Sequence, residues 1–263
     1  MNAPMVEEIA NAVLYEGYLL YPYRKSAIKN RQRWNFGVVG PGQTMQTECL
    51  FKAPSSAHLR IRVRFLHLIG EQAMPRDVEF EVPVGTASDS HAFAFEPLER
   101  QEAIQGRIET SIEAPKLRVQ IFNTNPLDGL ERSFISTHTI LSLNGGEFIS
   151  LLEPPEEFTD QAAACRNVGT WPVLVGEDGT HDAMLSSPII LYDYPKIAPE
   201  SAGSLFDGTE IDEILTLRIM TLTDQEKLEM ASTDERAREI LERTDSMPPE
   251  QFMKLHGVLR GVR

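Results

Sequence analysis

The sequence predicts an α+β protein, mostly β. The core is an antiparallel β-sandwich or open barrel, with a short N-terminal helix and a C-terminal run of short helices. Three observations carry this. Apolar and polar residues alternate with period 2 in segments spread over residues 36 to 195, the pattern of half-buried antiparallel strands. Turn-forming residues separate those segments. After Pro199 the apolar spacing changes to that of a helix.

Residues 5–16 (MVEEIANAVLYE) place Val6, Ile9, Ala10 and Val13 on one helical face, and Gly17 is a stop signal. Residues 17–34 then combine Tyr18, Tyr21, Tyr23 and Trp34 with five basic side chains, and Pro22 limits any helix there. In HLRIRVRFLHLIG, Leu59, Ile61, Val63, Phe65 and Ile69 face one way and Arg60, Arg62 and Arg64 the other. VEFEVPV sets Val78, Phe80, Val82 and Val84 against Glu79 and Glu81. Further strands are expected at HAFAFEP, AIQGRIETSIE, KLRVQIF, RSFISTHTILSL, WPVLV and SPIILYDY. Gly85-Thr86, Asn123 to Pro126, Asn144 to Gly146 and Gly176 to Gly179 supply turns between them. Pro154-Pro155 opens a loop, and EEFTDQAAACRN reads as one short helix.

In the tail, Ile211, Ile214, Leu215 and Arg218 follow helical spacing, as do Leu217 and Met220. Thr223 to Glu226 and Ser232 to Glu235 are capping-box patterns, and Pro248 suits the first turn of a last helix. Leu228, Ile240, Leu241, Phe252 and Leu255 are its candidates for facing the β core or a partner. The organisation expected is residues 1–35, a β core over 36–199 and a helical tail over 200–263, within one structural domain.

Composition narrows the function. The chain has 263 residues and a formal net charge of −14, which argues against general nucleic-acid or anionic-membrane binding. No apolar run approaches the ~18 residues of a membrane span, so no membrane insertion is expected. The first twenty residues carry three Glu and no Lys or Arg, unlike a secretory leader. Cys49 and Cys165 are the only cysteines, too few for a disulfide framework or a cluster site. A cytoplasmic location is the resulting expectation. The charge is uneven: residues 1–64 are net +5 and the remainder −19. Either the basic section meets an acidic partner, or it docks on the chain's own acidic residues.

The catalytic and metal motifs tested are missing. None of His58, His67, His91, His138, His181 and His256 sits in a paired-histidine zinc motif, and His67 lies on the apolar face of its strand. His181-Asp182 would need distant partners to hold a metal. There is no GxSxG, and Ser186-Ser187 reads as the end of a turn. Cys165 reads as an inert thiol. There is no phosphate-cradling glycine loop; Gly40-Pro41-Gly42 and Gly145-Gly146 read as turn glycines. No cofactor, metal ligand or catalytic residue is expected.

Two constellations remain. One is the basic-aromatic set Tyr21, Tyr23, Arg24, Arg31, Arg33 and Trp34, residue types that dominate protein–protein contacts. The other runs Tyr192, Asp193, Tyr194, Glu200, Asp207 and Glu210, continuing through Asp212 and Glu213. Its carboxylates suit acid–base or cation chemistry, but also a helix N-terminus. Opposite charge and shared tyrosines predict that residues 15–37 and 186–213 meet in space, as a partner-docking junction or a seam of the fold.

The segments YEGYLLYPYRKSAIKNRQRWNFG (15–37) and SSPIILYDYPKIAPESAGSLFDGTEIDEILTLRIMTLTDQEK (186–227) resemble an uncharacterised protein family encoded among uptake [NiFe] hydrogenase genes of soil bacteria. The resemblance implies an accessory role in hydrogenase maturation, assembly or electron delivery, with hydrogenase subunits or maturation factors as partners. The leading expectation is therefore a non-enzymatic accessory protein. The alternative is an enzyme or small-ligand binder with a carboxylate/arginine-lined pocket between residues 15–37 and 186–213. Self-association through strand edges is a third reading.

Overall fold

A computed structural model describes residues 3–15, 36–70, 72–96, 103–196, 219–233 and 235–248. The chain divides into two units. Of the described residues, 3–14 and 36–196 belong to the first, and the helical residues 219–248 to the second.

Among the described residues, the first unit holds helix α1 (Ala3–Leu14) and ten strands, β1 (Thr44–Lys52), β2 (His58–Ile69), β3 (Gln72–Pro83), β4 (Ser88–Phe95), β5 (Ile104–Glu113), β6 (Lys116–Asn123), β7 (Ile135–Asn144), β8 (Glu147–Ile149), β9 (Trp171–Leu174) and β10 (Ala183–Ser187). They form two five-stranded antiparallel sheets, ordered β4-β5-β6-β1-β8 and β3-β2-β7-β10-β9. The fold is an open sandwich rather than a closed barrel.

The alternation read from the sequence is realised. Leu59, Ile61, Val63 and Phe65 of β2 join Val78 and Val82 of β3 in the core between the sheets. Ile104, Ile108 and Ile112 of β5 and Leu117, Val119 and Ile121 of β6 face them from the other sheet. One end of the core is aromatic: the Phe65 ring lies 4.6 Å from Phe134 and 6.0 Å from Phe93. Gly106 of β5 is required there. A Cβ would stand 2.6 Å from the Phe93 ring and 2.7 Å from that of Phe134.

Helix α1 covers the outer face of the β2–β7–β10 sheet. Val6, Ile9, Ala10 and Val13 are buried with Ile140, Val175, Ala183 and Leu185. The Ser136 hydroxyl donates to the Val13 carbonyl (2.9 Å), satisfying one of the carbonyls that every helix end leaves open. The helix begins at Ala3, two residues before the start expected from the sequence.

Two expectations are corrected. SPIILYDY does not form a strand. β10 is Ala183–Ser187, so Ser186 and Ser187 are buried strand residues rather than the end of a turn. Pro188 ends the ladder because it has no N–H to donate. Conversely, TMQTECLFK forms β1, pairing with both β6 and β8. Its pattern is faint because Thr47 and Cys49 occupy inward positions, while Leu50 faces out and is covered by Ile149 and Ala162. Thr47 in one sheet and Ser186 in the other share a buried hydroxyl bond (2.7 Å), continued from Ser186 to Thr170 (2.8 Å).

EEFTDQAAACRN forms a 3-10 turn (Glu156–Phe158) and helix α2 (Thr159–Ala163). In the second unit, α3 (Asp224–Thr233) and α4 (Glu235–Asp245) pack on each other. The Thr223 capping box forms: Thr223 N–H donates to Glu226 Oε2 (2.8 Å), and Glu226 N–H to Thr223 Oγ1 (3.3 Å). The second box does not start its helix in that way. Ser232 lies inside α3 and its hydroxyl donates to the Glu229 carbonyl (2.8 Å). Ile240 and Leu241 are buried, whereas Leu228 is exposed. Phe252, Leu255 and the helical spacing over 211–218 lie outside the described residues.

Candidate functional site

Of the twelve residues expected to form the junction, Tyr192, Asp193 and Tyr194 are described. Tyr21, Tyr23, Arg24, Arg31, Arg33, Trp34, Glu200, Asp207 and Glu210 lie outside the described residues. Of the two segments only the described ends are seen together: Gly37 stands against Pro188, where a Cβ would lie 2.8 Å from the proline ring.

The described part has a definite construction. The Asp193 carboxylate accepts the Ser150 hydroxyl (2.5 Å) and the Leu174 N–H (2.7 Å). Ser150 Oγ in turn accepts the N–H groups of Leu152 (3.1 Å) and Glu153 (2.9 Å). Next along the chain, Tyr194 N–H donates to the Leu174 carbonyl (2.8 Å), and its hydroxyl donates to the Thr180 carbonyl (2.9 Å). Burial and the neighbouring Asp193 charge raise the Tyr194 phenol. Tyr194 has a φ of +55, a left-handed conformation that a bulky side chain adopts only when its surroundings hold it there. Lys196 Nζ closes the segment on Asp178 (2.7 Å).

Between Pro188 and this clamp the side chains divide. Ile189 and Leu191 pack against the apolar cluster under α1. Ile190 and Tyr192 point away, 76% and 86% exposed. Asp193 and Tyr194 are therefore satisfied side chains that hold the segment, and Tyr192 is the side chain it presents.

The described basic residues of the N-terminal section have partners within the chain. Arg60, Arg62 and Arg64 stand across the β2–β3 ladder from Glu81, Glu79 and Asp77. Arg60 bonds Glu81 (3.1 Å), and Arg62 bonds Asp77 (3.2 Å) and Glu7 of α1 (2.6 Å). Arg64, nearly buried, bonds Asp77 (2.8 Å) and donates to Asn11 of α1 (2.9 Å). Lys52 pairs with Glu157 (2.8 Å). For these four residues the charge asymmetry is settled inside the molecule.

Glu48 escaped the sequence reading. It faces the outer side of β1 yet is 3% exposed, because residues 165–168 cover it. Burial alone would raise its carboxyl. The Arg166 N–H (2.8 Å), Arg118 (2.7 Å) and Lys116 (3.6 Å) outweigh that and hold it below the usual range. The only sequence signal was a lone acid in an otherwise uncharged strand centre.

His67, His138, Cys49 and Cys165 are placed as packing groups. His67 is buried in the sandwich, and its pKa is lowered, first by burial and then by Arg76. His138 is fully buried, with Nδ1 bonded to the Ser136 carbonyl (2.9 Å). Burial raises the Cys49 and Cys165 thiols. Among the described residues no group of three His, Cys, Asp or Glu side chains is placed to hold a metal ion. No described helix is long and apolar enough to cross a membrane.

Among the described residues, clefts open on the outer sheet faces at two places. One, of about 440 Å³, is lined by His58, Arg60, Glu81, Ser142, Asn144 and Asp182. The other, of about 560 Å³, is lined by Ser88, Ser90, Glu109, Ser111, Arg118 and Gln120. Polar side chains supply most of the lining residues, Leu143 being the aliphatic one in the first cleft, whereas small-molecule sites are mostly lined by apolar residues. No protein-family model matches the chain, and no curated protein matches it in sequence.

Proposed function

We propose that this chain is a non-enzymatic accessory protein that docks on a protein partner through the surface around Ile190 and Tyr192. The observation carrying the proposal is the clamp at Asp193 and Tyr194. It fixes the segment while leaving a large aromatic and an aliphatic side chain in solvent. Aromatic anchors on a rigid support lose little conformational freedom on binding, which favours affinity. The partner class implied by the resemblance of residues 15–37 and 186–227 is a hydrogenase subunit or maturation factor. The opposing carboxylate-pocket reading is weakened at Asp193, whose oxygens already serve Ser150 and Leu174.

The test is mild affinity purification of the tagged chain under hydrogenase-inducing conditions, comparing wild type, Tyr192→Ala and Asp193→Ala. Tyr192→Ala should keep the wild-type unfolding midpoint and lose the co-purifying hydrogenase component at least tenfold. Asp193→Ala should lower stability by about 1–3 kcal/mol, because it leaves the Leu174 N–H without its acceptor. Undiminished capture by Tyr192→Ala, or no specific capture by wild type, would reject the proposal.

A further inference from the structure

Among the described strands β4 ends its sheet, and the hydrogen-bond pattern fixes which of its backbone groups are left over. The Ile112 N–H bonds the Ala87 carbonyl (2.9 Å), one step beyond the Ser88↔Ser111 pair. Bonded and non-bonded pairs alternate along an antiparallel ladder. The bonded partners of β5 are therefore Asp89, His91, Phe93 and Phe95. The N–H and C=O groups of Ser88, Ser90, Ala92 and Ala94 point away from β5. The Thr124 N–H to Gln105 carbonyl bond (3.2 Å) gives β5 the matching phase, its odd-numbered residues serving β6.

The other three edges are guarded. β3 carries Pro75 and Pro83 and a row of charges, β9 has four residues including Pro172, and β8 has three residues. Prolines, charges and shortness are the usual obstacles to edge-to-edge pairing. β4 has eight residues, no proline and one charge, Asp89. Ser88, Ser90, Ala92 and Ala94 are small and exposed.

We propose that β4 is a self-association edge, pairing antiparallel with β4 of a second copy about a two-fold axis at His91. In that register Ser90 faces Ala92 of the second copy and Ser88 faces Ala94. All four outward-pointing residues then exchange N–H···O bonds. Asp89 stands opposite Phe93 of the second copy, diagonal to His91, so no acid faces an acid. The sequence of the edge is thus complementary to itself, which is what an isologous contact requires. A single strand pair buries little surface, so the dimer belongs to the weak, micromolar class. The inference is independent of the docking role of Tyr192.

The test is sedimentation equilibrium of the full chain across the micromolar range. Wild type should pass from the mass of one chain, 29.5 kDa, toward twice that mass. Ala92→Pro removes an outward N–H without touching the β5 ladder, a substitution edge strands tolerate. It should remain at one chain throughout, with wild-type circular dichroism. A wild type that stays at one chain, or an Ala92→Pro that associates as wild type does, overturns the proposal. Should Ala92→Pro misfold, hydrogen exchange of wild type decides. The Ala92 and Ala94 amides should become at least tenfold more protected at high concentration, and unchanged exchange overturns the pairing.

Discussion

At the scale of single residues, burial changes what a titratable group does. Burial pushes the His138 imidazole down to about 4, against the opposing Ser136 carbonyl and with help from Arg64. Its pKa in the unfolded chain is about 6.5. Between those values the unfolded state binds a proton that the folded state does not. This group's stabilisation is therefore complete above about pH 6.5 and fades as the pH falls toward 4, a change on the order of 3 kcal/mol. Ring resonances of His138 should stay in the neutral form until near pH 4. His138→Gln should flatten the loss of stability between pH 6.5 and 4. A ring that titrates near 6.5 would contradict this. That His67 is a core residue was readable from strand periodicity. That Glu48 is buried was not, because the cover comes from residues 165–168, more than a hundred positions away.

At the scale of elements, strand pairs and one helix account for most charged contacts. The β2 arginines read as a solvent-facing row, and the register places each against an acid of β3. Their environments differ because α1 lies over only part of the row. Glu7 and Asn11 enclose Arg64, whereas Arg60 stays half exposed. Arg64→Ala should therefore cost about 2 kcal/mol or more in urea unfolding, since it breaks a nearly buried set of charged bonds. Arg60→Ala should fall within about 0.5 kcal/mol of wild type. Equal effects would mean that α1 does not enclose the row. Strands β2 to β7 and β9 were legible in the sequence, because their apolar spacing and flanking turns are local. β1, β8 and β10 were not. β1 is buried on both faces at its centre, β8 has three residues, and every residue of β10 is buried, so none of them alternates visibly.

At the scale of the molecule, the net charge of −14 opposes any meeting of two copies. Screening reaches about 30 Å at 0.01 M salt and about 10 Å at 0.1 M. Pairing through the nearly uncharged β4 edge should therefore strengthen severalfold as salt rises over that range, read as a lower concentration for half-dimerisation. Weakening with salt would point to an ionic contact elsewhere. The class of the fold and the helix at the start follow from the spacing of apolar residues along short stretches, and the start of α3 from its capping box, so they are written in the chain itself. The lack of the tested catalytic and metal-binding motifs is written there too. Folding in three dimensions settled which strands share a sheet and which of the described strands end it. It also settled that Asp193 and Tyr194 are held while Tyr192 is presented, and that Glu48 is enclosed. Those outcomes depend on contacts between residues far apart in the chain, and no local period encodes such contacts.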